Sequence, residues 1–542
     1  MRTTPTHGLE RLCAHLDAAV SPAHSVEFAA QRLRAAGLVT VPPASAHSDL
    51  PDCGLIAQEG LLLAWVRGST SSFRIVGAHT DSPTLKIKPR PDTGAFGWKQ
   101  LAVEVYGGIL NNSWLDRDLG LAGRVVQHDG GVRLFDSGEA IARIPQLAIH
   151  LDREVNERGL ILDKQQHLLP VWGLGSPSDG EFTAWLAQRL DVDPLSILAW
   201  DLCLYDVAPA NVLGADESLL ASGRLDNQVS CWAAVEALVE RATSANASTG
   251  PTAVIALFDH EEVGSQSTHG AAGPRLEWLL EALCDGNRSA FARAAAQSHC
   301  LSVDNAHAVH PNYPDRHEPA HRPLPNLGPV LKMNVNQRYA STPESVVPFV
   351  EACRRAQVPH QVFVSRNTQP CGSTIGPVTS TRLGIPTVDV GIAQLSMHSA
   401  REVCGAQDPL LLRNVLDCYL MTVNLRGYMN FAPLARTCSL PPIPTGMIGT
   451  PALHATYAAP SISGCTTGPD LRSPSGNRTK GSPAWSTSMA RVTAWRSADP
   501  RVTGNAPRAD KVQLKGCFFH MVSLPMKRIR RRVQPDAMGV SM

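Results

Sequence analysis

Seven residues of this chain could bind metal or move protons, and each follows a short apolar run or heads a helical one. His79 ends the run beginning Phe73-Arg74-Ile75-Val76-Gly77, and Asp81 comes two residues later. Asp226 lies in Gly223-Arg224-Leu225-Asp226-Asn227. Glu261 and Glu262 follow a run ending at Phe258, and Asp304 follows Leu301-Ser302-Val303. His398 lies in Ser396-Met397-His398-Ser399, beyond Thr387-Val388-Asp389-Val390. Imidazole and carboxylate are ligands for zinc, manganese and cobalt alike. Two His and three carboxylates suit two divalent ions, which a bridging carboxylate holds roughly 3.5–4 Å apart. A structural zinc site would draw on more Cys and close its shell. Taken singly these residues have plainer readings, such as Asp226 capping a helix; the joint pattern carries the argument.

The elements around them read as α/β. Ala253 to Phe258 is a continuous apolar run, as expected of a strand buried on both faces. Leu61 to Val66 and Phe73 to Val76 are further strands. After Asp226, Cys231, Val235, Leu238, Val239 and Ala242 recur at helical spacing. Residues 9–37 read as an amphipathic helix pair around Ser21-Pro22, and Asp408-Pro409 as the cap and first turn of a helix running to about Gly427. Alternating strands and helices predict a mixed sheet with helices on both faces. In such sheets ligands bind beyond the carboxyl ends of the strands, where the five metal-binding segments would meet. Residues 93–213 differ: Leu101, Val103 and Val105 alternate with polar residues, and Asp129-Gly130-Gly131 is a hairpin-type turn. They are expected to form an inserted β-rich domain between the two parts, 1–92 and 214–436, of a discontinuous catalytic domain.

The chain has 542 residues, too many for one core. Hydrophobic content of 43% and charged content of 18% fit a soluble globular protein, and no apolar run is long enough to span a membrane. Met1 to Gly8 contains no signal-like apolar core, and the thirteen Cys form no CxxC pair; a cytoplasmic location is expected. The net charge of +1 hides an asymmetry. Residues 437–542 hold fourteen basic and four acidic residues, leaving 35 basic and 44 acidic residues before them. This Pro-, Ser-, Gly- and Arg-rich tail shows no periodicity and is expected to be disordered. Its Lys527-Arg528-Ile529-Arg530-Arg531-Arg532 run could touch nucleic acid, although a solvated tail is the expected reading. Competing catalytic motifs fail: His260-Glu261-Glu262-Val263-Gly264 lacks the second His of a zincin, and there is no GxSxG elbow or Walker A loop.

From about Leu9 to Arg426 the chain resembles the aspartyl aminopeptidases, a family of co-catalytic zinc metallopeptidases. The motifs are His79-Thr80-Asp81-Ser82-Pro83 with Leu85-Lys86-Ile87-Lys88-Pro89, Arg224-Leu225-Asp226-Asn227, and Asp259-His260-Glu261-Glu262-Val263-Gly264-Ser265. Asn334-Val335-Asn336-Gln337-Arg338-Tyr339, Gly372-Ser373-Thr374-Ile375-Gly376-Pro377 and Ser396-Met397-His398-Ser399-Ala400-Arg401-Glu402 complete the ordered set. The resemblance implies two divalent ions, zinc first, bridged by Asp226. His79 and Asp304 would complete one site, and Glu262 and His398 the other. Glu261 would be the general base, and Asp81 would orient His79. Lys332 and Tyr339 match positions that face an acidic substrate side chain, and His150 matches a residue reaching into the partner's active site. The resemblance also implies peptide substrates with an N-terminal Asp or Glu, dimerisation through the inserted domain, and assembly into tetrahedral dodecamers. The family ends near Phe431, so the tail has no counterpart in it.

Other readings of the same residues are a di-metal aminopeptidase or deacylase of different specificity, a non-catalytic assembly protein on this fold, and a nucleic-acid binder driven by the tail. A non-catalytic protein would be expected to lack a ligand or Glu261, and the sequence has all of them.

Overall fold

The structure, a computed structural model, describes residues 5–43 and 50–421. The basic tail and the expected helical residues 422–427 lie outside them. A nine-stranded mixed sheet forms the centre, in the order Val39–Thr40, Cys53–Gln58, Leu61–Val66, Thr252–Phe258, Phe73–His79, His299–Val303, Thr387–Gly391, Val330–Met333, Gln361–Val364. The four strands from Thr252–Phe258 to Thr387–Gly391 are parallel, so their carboxyl ends share one edge. Phe258 pairs with His79 in register, which brings the residues that follow both strands together.

The unbroken apolar runs are explained by burial on both faces. In Thr252–Phe258, Ala253, Ile255 and Leu257 join one core cluster, while Val254, Ala256 and Phe258 join another. Residues of helices Pro5–Ala18, Pro22–Ala35, Leu225–Thr243, Val347–Ala356 and Asp408–Leu420 pack in the first cluster; Arg275–Ala282, Arg288–Ala295 and Ile375–Leu383 supply the second. Each fully buried Leu or Ile contributes roughly 1.5–3 kcal/mol. The expected helix pair near the N-terminus is present, and Ser21 caps its second member by accepting from the His24 amide.

Asp408 has a different job from the one expected. Gln407 is the N-cap, and Asp408 is the first helical residue. Its buried carboxylate accepts from the amides of Asn326 (2.6 Å) and Gly328 (3.2 Å), pinning a distant loop to the helix start. Asp408→Ala would strand those donors, at about 1–3 kcal/mol each. We expect a loss of about 2–4 kcal/mol, measured by the denaturant midpoint at an unchanged slope.

The β-rich part is a barrel. Strands Ile197–Asp206, Thr84–Thr93, Trp98–Tyr106, Val171–Leu174, Ala142–Arg143 and Asp118–Gln127 follow in order, and the last pairs back onto the first. Val132–Asp136 adds to Asp118–Gln127 through the Asp129-Gly130-Gly131 turn. In chain order the barrel begins at Thr84 rather than at the expected residue 93, directly after the segment that contains His79 and Asp81. A third sheet of five short strands links Leu219–Ser222 and Glu402–Gly405, which lead into Asp226 and away from His398.

Candidate metal centre

The parallel strands deliver the predicted ligands to one edge. His79 is the last residue of its strand; Glu261 and Glu262 lie in a single 3-10 turn after Phe258; Asp304 directly follows Val303. Gly391, on the strand beside Asp304, permits a close approach: a Cβ there would lie 1.9 Å from the Asp304 carbonyl. Asp226 sits at the head of its helix with non-helical backbone angles, so its side chain turns from the helix face into the cavity.

These residues converge. Ligand atoms of His79, Asp226 and Glu262 all lie within 4.8 Å of one another. The Asp226 carboxylate has His79 Nε2 3.5 Å from one oxygen and His398 Nε2 3.7 Å from the other. His398 Nε2 is also 3.3 Å from Glu262. One cavity of about 410 Å³ is lined by His79, Asp226, Glu261, Glu262, Asp304 and His398, together with Lys332 and Tyr339. Lys332 is buried: its ammonium lies 3.7 Å from Asp304, donates to the Asn305 carbonyl at 3.1 Å, and stands 5.0 Å over the Tyr339 ring. His150 is not brought to this cavity; it lies in an exposed turn of the barrel domain.

The electrostatics are those of carboxylates crowded out of water. Burial, with Asp304, Glu262 and Asp81 nearby, pushes Glu261 up to about 9. Burial raises Glu262 to about 7 and Asp304 to about 6. His398, against Glu262 and Asp226, is raised to about 10. Asp226 Oδ1 is buried with no hydrogen-bond partner among the described residues, His79 Nε2 standing 3.5 Å away. Such a group is costly unless something compensates it, and a divalent cation fits both this orphaned atom and the surrounding imidazoles and carboxylates.

The supports around the ligands are specific. His79 Nδ1 faces the main-chain carbonyl of Asp81 at 3.0 Å and its carboxylate at 3.4 Å, leaving Nε2 for the cavity. The Asp81 carboxylate accepts from the amides of Glu261 (3.1 Å) and Glu262 (3.0 Å) and from the Tyr106 hydroxyl (2.7 Å). His398 Nδ1 bonds the Gly108 carbonyl at 3.0 Å. Glu402 ends the Ser396–Glu402 motif, which by itself suggests no task for it. It is buried and accepts from the amides of Asp226 (3.0 Å) and His398 (2.7 Å), bracketing two candidate ligands. The signal available was an acid at the mouth of an apolar strand, four residues after His398. His398 adopts left-handed backbone (φ 68°), which costs a non-glycine residue roughly 1–2 kcal/mol and is sustained here by its bonds to Glu402 and Gly108.

A mixed α/β sheet with His and carboxylate side chains gathered at its carboxyl edge offers a site that could hold divalent metal. The comparisons with known proteins narrow the class. The aminopeptidase I zinc metalloprotease (M18) family profile matches residues 15–418. The chain is 50% identical over 417 residues to a probable M18 family aminopeptidase 2 of Streptomyces coelicolor, covering 76% of this chain and 96% of that one. It is 46% identical over 428 residues to the protein of that description in Mycobacterium tuberculosis, covering 76% and 97%. Among solved structures, the Ape4 and Nbr1 complex matches with a TM-score of 0.73 at 32% identity over 77% of this chain and 86% of that chain. The S. cerevisiae mApe1 dodecamer matches with a TM-score of 0.66 at 27% identity over 76% and 95%. The chain belongs to the M18 family of zinc aminopeptidases and is a hydrolase. Among the described residues no helix is long and apolar enough to cross a membrane.

Proposed function

We propose that this aminopeptidase removes an acidic residue, Asp or Glu, from the N-terminus of peptides, with two divalent ions held by His79, Asp226, Glu262, Asp304 and His398. The observation that carries the specificity is the buried ammonium of Lys332 in the wall of the metal cavity. An ammonium has three protons. The Asn305 carbonyl takes one and Asp304 faces another, which leaves a donor for an incoming carboxylate. Tyr339, whose ring faces that ammonium, closes the same wall. His150, exposed on the barrel domain, is assigned to the active site of a second copy, and self-association as a dimer or dodecamer follows the likeness to the mApe1 dodecamer. The cytoplasm is the proposed location.

When bound, zinc ions supply Lewis acidity to a carbonyl and acidify a water. Asp226, with one oxygen toward each His, is the residue suited to bridge. Glu261 lines the cavity beside the ligands, and its main chain is fixed by Asp81. It takes the proton of the attacking water and passes it to the leaving amine. Lys332 fixes the side chain of the departing residue as a point charge.

Exhaustive chelation should abolish release of N-terminal Asp, and zinc should restore it with a break at two equivalents per chain. Full restoration at one equivalent would refute the two-ion centre; activity indifferent to chelation would refute a metal-dependent one.

A further inference from the structure

The barrel strand Trp98–Tyr106 runs straight into the metal centre, and the three residues at its end touch both halves of it. The Tyr106 hydroxyl donates to Asp81, the carboxylate that faces His79 and fixes the amides of Glu261 and Glu262. Gly107 packs against Glu262: a Cβ on Gly107 would lie 3.1 Å from the Glu262 Cβ, at a φ of +71° that favours glycine. The Gly108 carbonyl bonds His398 Nδ1 and so turns its Nε2 toward Asp226 and Glu262. The Leu110 amide then holds the His398 carbonyl. Tyr106 is itself held from the barrel, with the Lys86 ammonium 4.4 Å over its ring and Lys86 anchored to Asp201 at 2.7 Å.

We infer that Tyr106-Gly107-Gly108 is a positioning segment through which the barrel domain sets the geometry and metal affinity of the centre, an inference that rests on the metal-centre reading above. Without the Tyr106 hydroxyl, Asp81 Oδ2 would keep only the Glu262 amide. The buried carboxylate would lose one of its three hydrogen-bond donors, and with it part of its hold on His79 and on the Glu261 turn. Partners of this kind orient a ligating imidazole and raise its basicity, and their loss costs about 10–100-fold in metal affinity or activity. The barrel would then complete the catalytic centre within its own chain, apart from any part in assembly.

The test is Tyr106→Phe, which keeps the ring and removes the hydroxyl, with Gly107→Ala as a second variant acting on the Glu262 side. Zinc affinity is measured by competition with a chelator, kcat and KM on an acidic peptide, and melting temperature on the metal-free chain. We expect zinc affinity and kcat to fall about 10-fold or more in Tyr106→Phe, with KM within about twofold and metal-free melting near that of the unaltered chain. Tyr205→Phe removes another barrel tyrosine–aspartate bond, to Asp136 at 2.6 Å, and should leave zinc affinity and KM unchanged. Unaltered zinc affinity in both Tyr106→Phe and Gly107→Ala, or an equal loss in Tyr205→Phe, would overturn the inference. A chain that bound no zinc before substitution would overturn the metal-centre reading as well.

Discussion

Glu261→Gln is expected to retain its full complement of zinc and lose kcat by about 10²–10⁴-fold. The substitution is nearly isosteric, so the amide to Asp81 that fixes the turn remains, and His79, Asp226, Glu262, Asp304 and His398 are untouched. Only the proton-accepting oxygen goes. Near-normal turnover in a zinc-loaded variant would show that Glu261 is not the base. Loss of zinc together with turnover would show it to be a ligand, and the division of labour between Glu261 and Glu262 would have to be redrawn.

Lys332→Ala is expected to lower kcat/KM for N-terminal Asp and Glu about 100-fold more than for Leu or Ala. Truncating one member of a buried, hydrogen-bonded charge pair costs about 2–5 kcal/mol, and a factor of 100 is near the lower end of that range. Because Lys332 also faces Asp304 at 3.7 Å, all substrates should weaken to some degree. The ratio of acidic to neutral substrates removes that common part. An equal loss for every substrate would leave Lys332 as a support for Asp304 alone, and acidic specificity would have to come from elsewhere in the cavity.

The strands that carry the candidate ligands were legible because both faces of the central sheet are buried. Ala253 to Phe258 alternates between two cores and therefore reads as an unbroken apolar run with Glu261 and Glu262 at its end. The helix after Asp226 was equally legible from its period, but the non-helical backbone that turns Asp226 and Asn227 inward has no local signature. Glu402 and Tyr106 stayed hidden for a related reason. Glu402 serves the amide of Asp226, 176 residues away in sequence, and Tyr106 serves Asp81, 25 residues away; neither spacing reflects a helix or strand repeat. Alternation marked the β-rich region, whereas its closure into a barrel depends on Ile197–Asp206 pairing with Asp118–Gln127. Asp408 shows the opposite failure. Its position before Pro409 is a strong local signal for a cap, and tertiary contacts with Asn326 and Gly328 claimed the carboxylate instead.

The central claim is an acid-specific, metal-dependent aminopeptidase. Its most direct test is kcat/KM for release of the first residue from four peptides differing only in that residue, Asp, Glu, Leu or Ala, before chelation, after it, and after zinc is returned. The account predicts that Asp and Glu are released at least about 100-fold more efficiently than Leu and Ala, that chelation abolishes this, and that zinc restores it. Zinc-restored cleavage led by Leu or Ala would contradict it.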